Sequence, residues 1–264
     1  MQADSNEPGA MLKPFFQHLD DLRRALVWCA FALLAGMGLA AFIAPRVLAL
    51  LKAPLKSVVA DPDRFLRTLD ITGGMSVAMQ TILWGGLLFS APVMVFSICW
   101  FVFPGLTRNE RREVLGGLSF AVVLFCVGVG LCYGFALAPA LTVMLWFNEW
   151  MGIPIEYVTI TSYVGFVLKL LLSFGLTFEL PIVILILGRL GLVTSAQLRS
   201  KRRHAIVVIL ILSMVITPTQ DPFSQILLGG PLVALYEICI WLIWARECRN
   251  KDKPLSSASG QDAS

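Results

Sequence analysis

Charge is what this sequence has least of. Only 14% of its 264 residues are Asp, Glu, Lys or Arg, against roughly 25% in a soluble globular domain. That is too little polar side chain to cover a water-facing surface of this size. Histidine is nearly missing. His18 and His204 are the whole supply, which removes a His-rich metal centre. The six cysteines contain no CxxC pair. Five of them (Cys29, Cys99, Cys126, Cys132, Cys239) lie in apolar runs and Cys248 lies in the charged tail. Neither a disulfide framework nor a zinc site is indicated. The sequence has no Walker A loop, no HExxH and no GxSxG. No nucleophile with a base and no paired acids stand out, so the chain reads as a non-enzyme without cofactor or metal. An internal repeat is missing as well, and with it the inverted-repeat transporter signature. The net charge of +4 is modest and suggests no nucleic-acid partner.

What the chain has is hydrocarbon. It is 57% hydrophobic, with a mean hydropathy of +0.78. Apolar runs predict six transmembrane helices at about 25–43, 75–103, 114–136, 162–187, 205–217 and 224–244. The fifth is short, since a straight span needs roughly 20 residues. The expected class is therefore all-α and polytopic. Residues 1–24 form a leading segment, 25–245 the membrane domain and 246–264 a tail. The tail's end, "KPLSSASGQDAS", is small, polar and expected to be disordered.

Lys and Arg set the orientation. Fifteen of the 21 fall before the first run, between the second and third, between the fourth and fifth, or after the sixth. Five lie in the segment between the first and second runs: Arg46, Lys52, Lys56, Arg64 and Arg67. This bias predicts that both termini are cytoplasmic. The first run, with its basic flank, reads as a retained signal anchor, because no convincing A-x-A site follows. The outer segments 44–74 and 137–161 read as short interfacial helices and turns.

Ionisable residues inside such runs are costly and so informative, at about 2.5–3.5 kcal/mol each near a helix centre on insertion scales. Glu179 sits in "LLLSFGLTFELPIVILIL". Pro181 follows and removes the helical donor of the Thr177 carbonyl. Gly175 precedes it by one turn and admits a close neighbour. The expectation is a kinked, polar, protein-facing spot. It serves either as a structural hydrogen bond or as a docking or proton site. Lys169, ten residues earlier, is expected to snorkel toward the outer interface. Glu237 is a second carboxylate, in the sixth run, where Gln225 also lies. "GLCYG" (Gly130–Gly134) is a GxxxG that simple tight packing would explain. Residues 15–26, "FFQHLDDLRRAL", have apolar residues at 15, 19, 22 and 26, which fits one face of an interfacial helix.

Four stretches, in order, resemble the TatC family, the polytopic core of the twin-arginine protein translocase. "HLDDLRRAL" is similar to its HLxELRxRL. "FVFPGLTRNERR" is similar to its loop with proline, glutamate and paired arginines. "SFGLTFELPIVI" is similar to its FGxxFExP. "ITPTQDPFSQILLGGPLVALYEI" is similar to its fifth-to-sixth-helix turn. The likeness covers about residues 11–245.

The resemblance implies a concave, glove-like bundle whose last two helices are short, in the inner membrane. It implies recognition of twin-arginine signal peptides on folded precursor proteins, work with the single-span subunits TatA and TatB and with other copies of itself, and drive by the protonmotive force. By matching positions, Leu19, Asp21, Arg23, Phe101, Pro104 and Glu110 would contact the signal. Asp21 stands where the family has Glu, and Ala25 where it has a basic residue. Glu179, Met214, Thr217 and Gln225 would contact partner subunits. Pro54 and Asp221 match functional positions in the outer loop and the late turn. The rival classes are a proton-coupled secondary transporter using Glu179, and a structural assembly scaffold.

Overall fold

The computed structural model describes residues 9–59, 61–102, 121–153, 155–189, 193–216 and 222–251. The chain is helical nearly throughout. Among the described residues five helical stretches are long and apolar enough to cross a membrane: Leu19–Ser57, Gly73–Ile98, Ala121–Trp150, Ile160–Leu185 and Gln225–Ala245. The chain divides into two compact units, residues 1–175 and 176–264.

In the first unit, helix α1 (Gly9–Lys52) is continuous over 44 residues. The sequence suggested an interfacial helix, a span and an amphipathic outer stretch. These merge because "AFIAPRVLALLK" is rich in the strong helix formers Ala and Leu and carries one proline as its sole breaker. Helix α2 (Gly73–Val102) packs along α1. Their backbones nearly touch at Gly36 and Gly86. A Cβ on Gly36 would lie 2.5 Å from the Gly86 carbonyl oxygen, and one on Gly86 would lie 2.7 Å from Met37 Cα. In hydrocarbon no hydrophobic force draws helices together, so close approach through small residues carries the packing.

Helix α3 occupies Ala121–Trp150, well past the expected end at 136. It stops at Gly152, whose φ of 75° is the left-handed conformation that closes a helix C-terminus. A five-residue π turn, Cys132–Ala136, interrupts it. The wider turn takes Gly130 and Gly134 out of one-above-the-other register. Neither has a neighbour within 4 Å of where a Cβ would stand, so the GxxxG is not a packing seam. Helix α4 starts at Ile160 and runs to Thr177. Gly175 does admit a close neighbour, since a Cβ there would lie 2.5 Å from the Phe125 ring of α3. Two short strands, β1 (Leu66–Arg67) and β2 (Val158–Thr159), pair in parallel next to the starts of α2 and α4.

The end of α1 shows how the unit handles a proline. Pro54, the second residue of a 3-10 turn (Ala53–Ser57), has no N–H, so the Leu50 carbonyl loses its usual donor four residues on. The Tyr133 hydroxyl, on the π turn of α3, donates to Leu50 O at 2.9 Å. The Tyr163 hydroxyl of α4 donates to the next carbonyl, Leu51 O, at 2.7 Å. Leu51 and Leu55 are buried beside them.

The second unit begins in the last turn of α4. The helix breaks at Phe178–Glu179 and resumes as α5 (Leu180–Arg189), as Pro181 requires. Helix α6 (Ser195–Ser200) is a single capped turn and a half, and α7 (Arg202–Ile216) has 15 residues. At 1.5 Å per residue α7 is roughly 22 Å long, short of the ~30 Å hydrocarbon core. Helix α8 (Pro222–Lys251) has 30 residues, and its apolar window Gln225–Ala245 has 21. The expected short sixth helix is therefore a full-length one. It tolerates Pro231 and runs on through the charged residues that follow the apolar stretch. Ile209, Leu232, Tyr236 and Ile240 form the core of this unit, with Leu180 and Ile184 against it. Gly188 lets α5 meet Ile243 closely.

A double-mutant cycle tests the proline account. Tyr133→Phe should cost about 0.5–1.5 kcal/mol in detergent unfolding. In the Pro54→Ala background, where Leu50 regains a backbone donor, the same change should cost close to nothing. An equal cost in both backgrounds would show that Tyr133 does not serve the proline-released carbonyl.

Candidate functional site

The predicted signal-contact residues fall partly on described structure. Leu19, Asp21 and Arg23 are exposed on α1, and Phe101 is half-buried in the last turn of α2. Pro104 and Glu110 lie outside the described residues. Leu19 and Arg23 are four apart and share a helix face, while Asp21 points elsewhere. A cavity of about 320 Å³ lies beside this stretch, lined by Asp20, Arg23, Arg24, Val27 and Trp28. It is Asp20, given no role from sequence, that joins Arg23 there.

The intramembrane acid is in the second unit. Glu179 is 4% exposed, and neither carboxylate oxygen has a hydrogen-bond partner among the described residues. Thr177, fully buried two residues earlier, has an unpartnered hydroxyl too. Their backbone is locally satisfied. Glu179 N–H donates to Leu176 O at 3.1 Å, and Glu179 O accepts from Ile182 N at 3.1 Å. Among the described residues, the structural hydrogen bond that one reading offered Glu179 is not made. A buried polar group left unpaired costs about 1–3 kcal/mol, so this spot is held at an energetic loss within the isolated chain.

The remaining predicted contacts lie on α7 and α8. Met214 is exposed on α7. Gln225 Nε2 donates to Leu210 O at 3.0 Å and ties the start of α8 to α7. Thr217 and Asp221 lie outside the described residues. Glu237 is paired rather than free, with the Arg202 guanidinium 2.8 Å from its Oε2. The Lys169 side chain meets an aromatic ring. Its ammonium stands 5.1 Å from the centroid of the Trp84 ring, on α2.

Comparison with known proteins decides what these helices belong to. The family profile "Sec-independent protein translocase protein (TatC)" matches residues 17–231. The chain belongs to the TatC family. It is 34% identical to the Sec-independent protein translocase protein TatC of Aquifex aeolicus over 230 residues, 87% of this chain and 94% of that one. Its identity to the TatC of Deinococcus radiodurans is 33% over 251 residues, 92% of each. A crystal structure described as the Twin Arginine Translocase Receptor TatC matches with a TM-score of 0.73 at 33% identity. The match covers 85% of this chain and 98% of that one. As a TatC, the chain is a multi-pass membrane component of a protein translocase, works with other Tat components, and is not an enzyme.

The structure also shows a clasp that sequence reasoning missed. Thr194 and Gln197 form a reciprocal capping box that starts α6. Glu247, near the end of α8, accepts from Ser195 N at 2.9 Å and also from the Ser195 hydroxyl. The Tyr236 hydroxyl donates to Leu198 O at 3.0 Å, and Arg199 stands 5.7 Å from the Trp244 ring centroid. With Arg202–Glu237, these contacts bind the α5–α7 connection to one side of α8. The "TSAQ" spacing at 194–197 is a readable helix-start signature; the partners on α8, some 40–50 residues away, carry none. Glu247→Ala should speed amide exchange across Ser195–Ser200 by about 5–30-fold, matching a loss of ~1–2 kcal/mol, with exchange in α4 unchanged. Unchanged exchange in α6 would show that the clasp holds nothing.

Proposed function

We propose that this chain is the signal-peptide receptor of a twin-arginine translocase in the cytoplasmic membrane, with six spans and both termini on the cytoplasmic side. It exports folded proteins bearing twin-arginine signals, together with TatA and TatB and other copies of itself, driven by the protonmotive force. The observation that carries this reading is the likeness, over most of both chains, to solved structures described as the twin-arginine translocase receptor. The basic residues that flank alternate spans support the orientation.

Glu110 is the residue for the arginine pair. A carboxylate can take two parallel N–H bonds from one guanidinium, which an ammonium cannot supply. Asp21, Leu19 and Arg23 on α1, with Phe101 in the last turn of α2 and with Pro104, extend the same recognition face. Glu179, Met214, Thr217 and Gln225 receive the partner subunits. The unpaired carboxylate of Glu179 supports this, because a polar group from a partner helix would supply the bond the isolated chain lacks.

A twin-arginine peptide titrated onto the purified protein tests the reading. Glu110→Ala should weaken binding at least tenfold, and so should replacing the arginine pair by lysines. Equal binding of both peptides would sink the assignment. For assembly with the single-span subunits, Glu179→Gln should be milder than Glu179→Leu, because the amide keeps the hydrogen bond. Equal severity would point to a required charge or proton instead.

A further inference from the structure

Lys169 is the second ionisable group within the Ile160–Leu185 span, and the mechanism above leaves it unused. Helix α4 is the most enclosed of the spans, with 72% of its apolar window buried. Between Tyr163 and Glu179, Lys169 is the one exposed position. The single opening on this helix therefore carries a cation.

Lys169 is nine residues past Ile160, roughly 13.5 Å along the axis at 1.5 Å per residue. Trp84, which the ammonium touches, is eleven residues past Gly73, roughly 16.5 Å along α2. Half a hydrocarbon core is about 15 Å. Both helices thus place Lys169 and its aromatic partner near the middle of their apolar stretches. Among the described residues no carboxylate lies within 4 Å of the ammonium, and the ion pairs are Lys52–Asp63, Arg64–Asp61 and Arg202–Glu237. The Trp84 face contributes about 0.5–2 kcal/mol, less than the roughly 2.5–3.5 kcal/mol cost of a lysine at a span centre.

A second polar group lies one turn away on the same seam. Gln80 precedes Trp84 by a turn, and Gly165 precedes Lys169 by a turn. The Gln80 side-chain oxygen packs over Gly165, 3.0 Å from where a Cβ would stand, and has no donor. We propose that Lys169, braced by Trp84 and accompanied by Gln80, is a mid-membrane binding site for a carboxylate on a partner's transmembrane helix. The ammonium supplies the charge and the N–H donors that a carboxylate accepts.

The test uses the full chain in lipid vesicles with synthetic Leu/Ala transmembrane helices carrying Glu, Gln or Leu at their centre. Fluorescence transfer should show the Glu helix associating at least tenfold more tightly than the Gln helix. The preference should vanish in Lys169→Met and persist in Lys169→Arg. A membrane-permeant carbodiimide should join the Glu helix to Lys169 through an amide, located by mass spectrometry. Equal association of the Glu and Gln helices to the wild-type chain would overturn the proposal. So would a Glu preference that survives in folded Lys169→Met. The wild-type comparison and the cross-link need no variant, so a misfolding substitution cannot rescue the idea.

Discussion

A backbone polar group that loses its helical partner must find another, and this one constraint organises the chain. Backbone groups satisfy it by staying helical. Where a proline takes away a donor, the structure must supply a replacement from elsewhere. Pro54 frees the Leu50 carbonyl, and Tyr133 crosses from another helix to meet it. The π turn in α3 becomes intelligible on the same terms. A π turn shifts register by one residue, and here Tyr133 lies within it and reaches the freed carbonyl. Small residues follow from the constraint as well. Without a hydrophobic force between helices, α1 and α2 gain their contact by bringing backbones together at Gly36 and Gly86.

How much of this the sequence disclosed depends on distance along the chain. The spans were legible because hydropathy is local and long. The break at Glu179 was legible because Pro181 sits two residues away. The short α7 followed from counting apolar residues. What stayed hidden involved partners far apart in sequence. Leu50 and Tyr133 are separated by 83 residues, Leu51 and Tyr163 by 112, and Ser195 and Glu247 by 52. Helix ends were misjudged where a good helix former continued past the apolar run, as in α1, α3 and α8. The Trp84 ring beside Lys169 was hidden in the same way, because it comes from another helix.

The residues with predicted roles divide by whether the chain satisfies them itself. Glu237 has Arg202, and Gln225 has the Leu210 carbonyl. These contacts fix the α7–α8 pair and the α5–α7 connection without help from outside. Glu179, Thr177 and Gln80 each hold a polar atom with no partner among the described residues. Self-sufficient polar contacts build the scaffold, and unsatisfied ones mark where another molecule would lower the free energy.

Glu179 and Lys169 could in principle cancel, since they have opposite charge on one continuous stretch of sequence. In the structure they do not: the Lys169 ammonium faces the Trp84 ring, and neither Glu179 carboxylate oxygen has a partner among the described residues. Each must then be answered separately, and their surroundings differ. The acid is buried with a hydroxyl at its side, which suits a neutral hydrogen-bonding group that enters after local opening. The cation is exposed against an aromatic face, which suits an anion that arrives from the lipid side. The chain thereby carries two polar handles of different chemistry, and a group suited to one is ill suited to the other.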